Sequence, residues 1–410
     1  MLAGVLLAAF RLSAATLSPA DERLLVDIRH TAIRYFWEAA EPTTGLVKDR
    51  STADAIDSRP VASIAATGFG LTGLCIAHNH NVLSRTNVEA RVLTTLRYLW
   101  NGLHHERGFF YHFVDMRTGE RAWKCELSTI DTAILLCGVL TCGEHFSNKE
   151  IRQLARDIYH RVDWQWMLVD GKYLSHGWKP ETGFLRSTWN EYCELMMLYL
   201  LAIGSPTHSI PAATWHNWSR PVVEYEGLRY VSPMAPLFVH QFSHAWFDFR
   251  GKRDRHLDYF ENSVTATKAH RLFCINLQSR FPHFGEDLWG ITASDSAKGY
   301  RAWGGPPEVG KIDGTLVPCA AAGSLPFLPR ETLHTLHKMR ERFGDKIWKR
   351  YGFIDAFNPQ TDWYNPDVIG IDVGISLLMA ENLRTGFVWK TFMKNEEMQR
   401  AFTLVGFEAD

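Results

Sequence analysis

The chain lacks the signatures of several protein classes. Its seven cysteines (75, 125, 137, 142, 193, 274 and 319) are odd in number and include no Cys-x-x-Cys pair. Neither a disulfide scaffold nor a zinc site is therefore indicated, and a buried free thiol is the default. Charge of one sign is also missing: the formal net charge is −1. Nothing in that balance favours nucleic acid or an anionic membrane as a partner. No apolar run reaches transmembrane length. Proline-rich linkers, low-complexity tracts and fixed-period repeats are absent. So are a P-loop and a Ser/His/Asp triad signature, and Gly68-Phe69-Gly70 lacks the rest of a dinucleotide motif.

Aromatic residues are abundant instead, at 13% of the chain, with 15 Trp, 24 Phe and 13 Tyr. Rings fill a large core, and some of them suit a groove, because flat sugar faces stack on Trp and Tyr. A length of 410 residues fits two average domains or one large helical barrel. Without a linker, residues 18–410 read as one domain. Leu2–Phe10, followed by Arg11 and Ser13-Ala14-Ala15, resembles a signal peptide that is too short to span a bilayer. Residues 1–17 are therefore expected to direct export, which makes the protein periplasmic or secreted.

Helical periodicity dominates. Ser18-Pro19-Ala20-Asp21 opens the first helix with a capping serine and a first-turn proline. Further helices are expected at Ile64–Ala77, Asn87–Leu103, Leu127–Cys142, Lys149–Met167, Tyr192–Ile203, Pro236–Phe247, Arg255–Asn276, Pro329–Phe343 and Val368–Leu383. Phe109–Trp123 and Val222–Tyr230 read as hairpins. Ten helices with long loops suggest a toroid of helical hairpins with its site on the loop-bearing face. A plain bundle or a solenoid is the alternative.

Candidate acids fall where loops meet helix starts. Glu191, in Ser187-Thr188-Trp189-Asn190-Glu191-Tyr192-Cys193-Glu194, stands between Trp189 and Tyr192. A carboxyl among rings loses water and keeps its proton, as an acid that protonates a glycosidic oxygen must. Asp372, flanked by Gly370 and Gly374, is poorly explained by surface solvation and is the candidate base. Helix capping is its rival role. Asp362 and Asp367 read as turn acids. Glu126 and Asp131 precede an apolar helix, where they either cap it or grip sugar hydroxyls. Asp49 with Arg50, and Trp289 with Thr292, offer the mixture of charge, ring and short polar group that suits hydroxyl-rich ligands, with a structural ion pair as the rival role of Asp49 and Arg50. His240 and His244 share a helical face at a metal-like spacing, but no third ligand stands out. With Gln241 they read better as polar contacts to a ligand or to neighbouring loops. No metal and no cofactor are expected, because acid/base hydrolysis needs neither.

Several blocks together resemble the bacterial glucoamylase-like proteins of glycoside hydrolase family 144, the β-1,2-glucanases. They are GFFYHF (108–113), ELSTIDTAILL (126–136), HGWKPETGFL (176–185), WNEYCE (189–194), HQFSHAWFDFR (240–250), WGITASD (289–295), DGTLVPCAAAGSLPF (313–327) and GIDVGISLLMAENLRTGFVW (370–389). The likeness runs from about Asp27 to about Phe402. It implies an all-α (α/α)6 toroid and inverting hydrolysis of β-1,2-glucan or its oligosaccharides. Glu191 then matches the family's acid, with Asp372 as base and Asp362 or Asp367 as its rivals. A monomer is expected. The competing readings are a toroid of other specificity (α-glucan hydrolase, lyase or epimerase) and a glycan-binding protein without catalysis.

Overall fold

Two kinds of helix build the chain, and their burial tells them apart. The computed structural model describes residues 17–55, 57–233 and 236–409. Within them the helices are α1 (Pro19–Glu38), α2 (Ile64–Asn79), α3 (Arg85–Asn101), α4 (Thr129–His145), α5 (Lys149–His160), α6 (Met196–Gly204), α7 (Tyr259–Asn276), α8 (Pro318–Ala322), α9 (Pro329–Phe343), α10 (Gly370–Thr385), α11 (Phe387–Phe392) and α12 (Glu396–Leu404). In α2, α4, α6 and α8 most residues are buried, and α10 buries Val373–Ile375 and Leu377–Asn382. A helix apolar on all sides belongs inside. The outer helices bury one stripe only; in α5 it is Ile151, Leu154, Ala155, Ile158 and Tyr159, the spacing of a single helical face.

Several of the inner helices pack on one another. α2 packs on α4 and α4 on α6, while α10 packs on α8 and returns to α1 and α2. Two glycines set the closest crossing. A Cβ on Gly138 would stand 2.1 Å from the Gly68 carbonyl oxygen. Any side chain there forces α2 and α4 apart, at a cost of about 1–3 kcal/mol. Arg50–Thr52 pairs antiparallel with Asp367–Ile369, tying the loop after α1 to the start of α10. Short strands before α2 and α4 likewise pin those helix starts: Val61–Ser63 to Phe113–Asp115, and Leu127–Ser128 to Gly177–Lys179.

Most expected helices form within a few residues of their predicted limits, and both hairpins turn where expected, at 117–120 and at Glu226-Gly227. Pro236–Phe247 differs: it folds as two 3-10 turns, Leu237–His240 and Ser243–Ala245. Its polar side chains reach across to other elements, Gln241 to the Ala320 carbonyl and Ser324, and His244 to Ser263. Lys149–Met167 breaks at His160. Beyond it Arg161 donates to the Leu99 and Trp100 carbonyls, and Asp163 caps the 3-10 turn Trp164–Met167. The expected signal segment Leu2–Phe10 lies outside the described residues. No helix among the described residues is long and apolar enough to cross a membrane.

Candidate active site

The starts of the inner helices converge on one cavity of about 410 Å3. Ser63 and Ala65 come from the start of α2, Ile130, Asp131 and Ile134 from α4, and Ile369 and Ile371 from α10; Glu194 precedes α6. Phe238 and Phe242 add an apolar patch, and Asp49, Arg50, His112, Trp123 and Tyr300 arrive on loops. The volume falls within the range of small-ligand sites. Helix N-termini carry partial positive charge, which favours carboxylates gathered there.

Glu194, rather than Glu191, is the acid in the wall. Glu191 forms a bridge with Ser219 and its side chain is exposed, while the next residue, Tyr192, is wholly buried. The Tyr192 hydroxyl meets His240 Nδ1 at 3.0 Å, which anchors the segment in the core. Extended backbone alternates faces, so burying Tyr192 turns Glu191 outward. The turn into α6 then carries Glu194 into the cavity. Burial pushes its carboxyl up to about 7, Asp131's charge adds to the rise, and hydrogen bonds from its own backbone and Cys193 oppose it.

Beside Glu194 lies a ring flanked by two acids. His112 Nδ1 is 3.1 Å from Glu126 Oε1, and its Nε2 is 3.4 Å from Asp131 Oδ1. Burial opposes charging this imidazole, yet the pull of Asp131, Glu126 and Asp49 holds its pKa above the ordinary value. The hydrogen bond from His112, working against burial, lowers Glu126. Ser128, the cap of α4, donates its hydroxyl to Asp131 at 2.5 Å. Capping and site-building therefore coincide at Asp131.

A second group of acids surrounds the start of α10. Arg50 bridges Asp49 (3.1 Å) and Asp295 (2.7 Å). Asp355 is buried, and its Oδ2 accepts from the Asp295 backbone (3.0 Å) and from Asn365 (2.7 Å). Its Oδ1 and the Oδ2 of Asp372 are buried without a donor, and the two carboxyls touch. A proton on Asp355 supplies the missing donor. Burial, reinforced by the charge of Asp372, drives the Asp355 pKa well above the carboxylate range. Burial also raises Asp372, to about 6, against hydrogen bonds from Asp355 and Cys319. Asp372 lines an adjoining space of about 20 Å3 rather than the main cavity. Ile369, Ile371 and Tyr300 form the nearby cavity wall.

The remaining expected residues divide cleanly. Glu126, Asp131, Asp49 and Arg50 meet at this site, with His112 linking the first two. Trp189 is buried, stacks on His176 at 3.9 Å and donates to Thr129. His240 and His244 are core residues whose burial holds both near a pKa of about 3. Gln241 is committed to α8 and its end. Trp289 is fully buried, and Thr292 accepts from the Phe238 backbone. Tyr192, Trp189, His240, Gln241, His244, Trp289 and Thr292 thus support the core and do not line the cavity. Asp362 is exposed and paired with Lys346, while Asp367 is clasped by Arg59 through two bonds. Both rivals to Asp372 are occupied elsewhere.

Among the described residues, His216, Asp254 and His256 place ligand-type atoms within 4.8 Å of one another. The Asp254 carboxylate already accepts from Trp215, Tyr259 and the backbone of His256 and Leu257, so the group braces the fold.

Taken together, the inner helix starts and their acids define a mostly helical, glucoamylase-type scaffold with an acid-lined cavity. The match to known proteins is specific. Residues 186–396 fit the Glycoamylase family model, described as a glucoamylase, and the chain belongs to that family. It is 28% identical, over 95% of its length, to an exo-β-1,2-glucooligosaccharide sophorohydrolase (non-reducing end) of Parabacteroides distasonis. It spans 58% of that relative's length. Among solved structures it resembles an endo-β-1,2-glucanase from Chitinophaga pinensis, in complex with sophorotriose and glucose. The identity there is 26% and the TM-score 0.87, covering 96% of this chain and 99% of that one. A β-1,2-glucanase from Parabacteroides distasonis aligns with 27% identity and a TM-score of 0.85, covering 94% and 60%.

Proposed function

We propose that this chain hydrolyses β-1,2-linked glucan or its oligosaccharides with inversion, in a ring of six helical hairpins of the (α/α)6 type. The observation that carries the reading is Glu194: a carboxyl poised at about 7 in the wall of a cavity that also holds ionic acids. A general acid must hold its proton near neutrality and release it to a leaving oxygen. The linkage is supported by the sophorohydrolase and the two β-1,2-glucanases that the chain resembles.

In the reaction, water attacks the anomeric carbon from the face opposite the leaving sugar. The glycosidic C–O bond breaks, its oxygen takes the proton of Glu194, and the proton of the water passes to a carboxylate base. Inverting sites hold the two carboxyls roughly 6.5–9.5 Å apart to admit that water. Asp372 is the proposed base. Its pKa of about 6 leaves it ionised just where Glu194 is still protonated. Asp131 is the second reading, because it lies in the cavity wall itself.

Product analysis on soluble β-1,2-glucan tests the reading. Reducing sugars of inverted anomeric form are expected from it, and none from starch. Release from starch alone would overturn the assigned linkage. Azide, a nucleophile that needs no base, is expected to restore turnover in whichever of Asp372→Asn and Asp131→Asn lacks the base.

A further inference from the structure

Among the described residues, large apolar side chains that are exposed are few, and the two most exposed flank the same cavity. Trp123 shows 66% of its surface and Tyr300 56%, and both line the space that holds Glu194. Neither exposure has a structural explanation. A buried ring would add to the core, whereas an exposed one leaves apolar area in water.

Both rings are held out by braced backbone. Trp123 and Lys124 have φ of +51° and +50°, a region that a bulky residue rarely enters. Arg121 locks this turn: it donates to the carbonyls of Lys124 and Cys125, and Glu181 clasps its other side. Strain of this kind persists where the surroundings over-determine it, and it clusters at ligand sites. Phe113 supports the Trp123 ring edge-on at 5.0 Å, and His112 stacks on Phe113 at 3.8 Å. A continuous row of rings thus runs from the acids to the rim. Tyr300 belongs to a different loop. The pairing of Ser294 with Arg301, and of Ser296 with Gly299, closes a tight hairpin beneath it. Trp303 anchors that hairpin through Ser294. Tyr300 stands within electrostatic reach of Asp372 and Asp355, so it occupies the wall formed by the second group of acids.

We propose that Trp123 and Tyr300 form an aromatic clamp at the rim of the cavity, each stacking on a glucosyl ring beyond the bond being cut. The proposal rests on the β-1,2-glucan reading and adds to it where the substrate chain is gripped. Sugar faces present C–H groups to aromatic rings, and the indole and phenol edges remain wet, as a rim platform requires.

Kinetics on β-1,2-glucooligosaccharides of increasing length test it, with binding followed in the Glu194→Gln background by isothermal titration calorimetry. Trp123→Ala and Tyr300→Ala are each expected to raise KM, and the dissociation constant, by about 3- to 10-fold on long chains. The effect should shrink as chains shorten, and it should fall on KM rather than kcat. Trp123→Phe and Tyr300→Phe, which keep a ring, should recover most of the loss. Unchanged KM and binding in both alanine variants of an active, folded enzyme would overturn the clamp alone. A wild-type protein that neither binds nor cleaves β-1,2-glucan would overturn the substrate reading and the clamp with it.

Discussion

On the α4 side of the cavity Glu126 and Asp131 are tied together by one imidazole, whereas at the start of α10 two carboxyls keep a buried oxygen without a donor. His112 serves Glu126 and Asp131, and Ser128 serves Asp131 again. Around α10, Asp49 and Asp295 share Arg50, and Asp355 and Asp372 each bury one oxygen without a donor. Glu194 stands with the first wall but receives little of its hydrogen bonding, and so it is raised to about 7. Environment, not residue type, sets Glu194 apart from Glu126, whose hydrogen bond from His112 lowers it.

Removing the raised acid should break this contrast most severely. Glu194→Gln is expected to lower kcat by about 10²–10⁴-fold, read as reducing ends from β-1,2-glucan. Asp372→Asn should follow with a loss of about 10²-fold or more, again in kcat. If Asp131→Asn loses more, the base belongs to the α4 wall and the two walls exchange roles.

The pH profile sharpens the comparison next. Activity needs Asp372 ionised and Glu194 protonated, so kcat/KM should fall below about 6 and above about 7, giving a narrow bell. Asp355→Asn keeps a neutral donor beside Asp372 and should leave the acid limb near its place. Asp355→Ala removes the donor, which should move that limb to higher pH and cost about tenfold in rate. An unmoved limb in Asp355→Ala would show that the pair shares no proton.

Stability gives a smaller and opposite signal. The folded protein holds the Glu194 proton more tightly than the unfolded chain, so ionisation works against folding. Stability should therefore decline as pH rises from the ordinary glutamate range through about 7. Glu194→Gln escapes that decline, and at pH about 8 it should be more stable than wild type by roughly 1–3 kcal/mol in denaturant titrations. Glu191→Gln should change neither rate nor stability appreciably, since its side chain lies on the surface.

Much of the scaffold was legible because helix periodicity and caps are local. Ser18 and Pro19 open α1, and the run at Pro329–Phe343 forms over the whole predicted span. At the candidate site, legibility stopped three residues short. Reading Tyr192 as the first helical residue made Glu191 the acid at the helix start; the uninterrupted apolar run from Leu195 to Ile203 was the better marker and points to Glu194. His112 lay within a recognised block without a role. Asp355 and Tyr300 had no local signal at all, because their partners are remote in sequence. Conversely, His240, Gln241 and His244 left contacts to a ligand or to neighbouring loops equally open, and only the structure gives them to core groups of the fold.

The sequence by itself determined most of the helices and the acidic blocks near their starts, since hydrophobic period and capping act over a few residues. Only the tertiary structure decided which carboxyl keeps its proton. That choice depends on which faces are dehydrated and which donors arrive from distant loops, and neither is written in the spacing of neighbours along the chain.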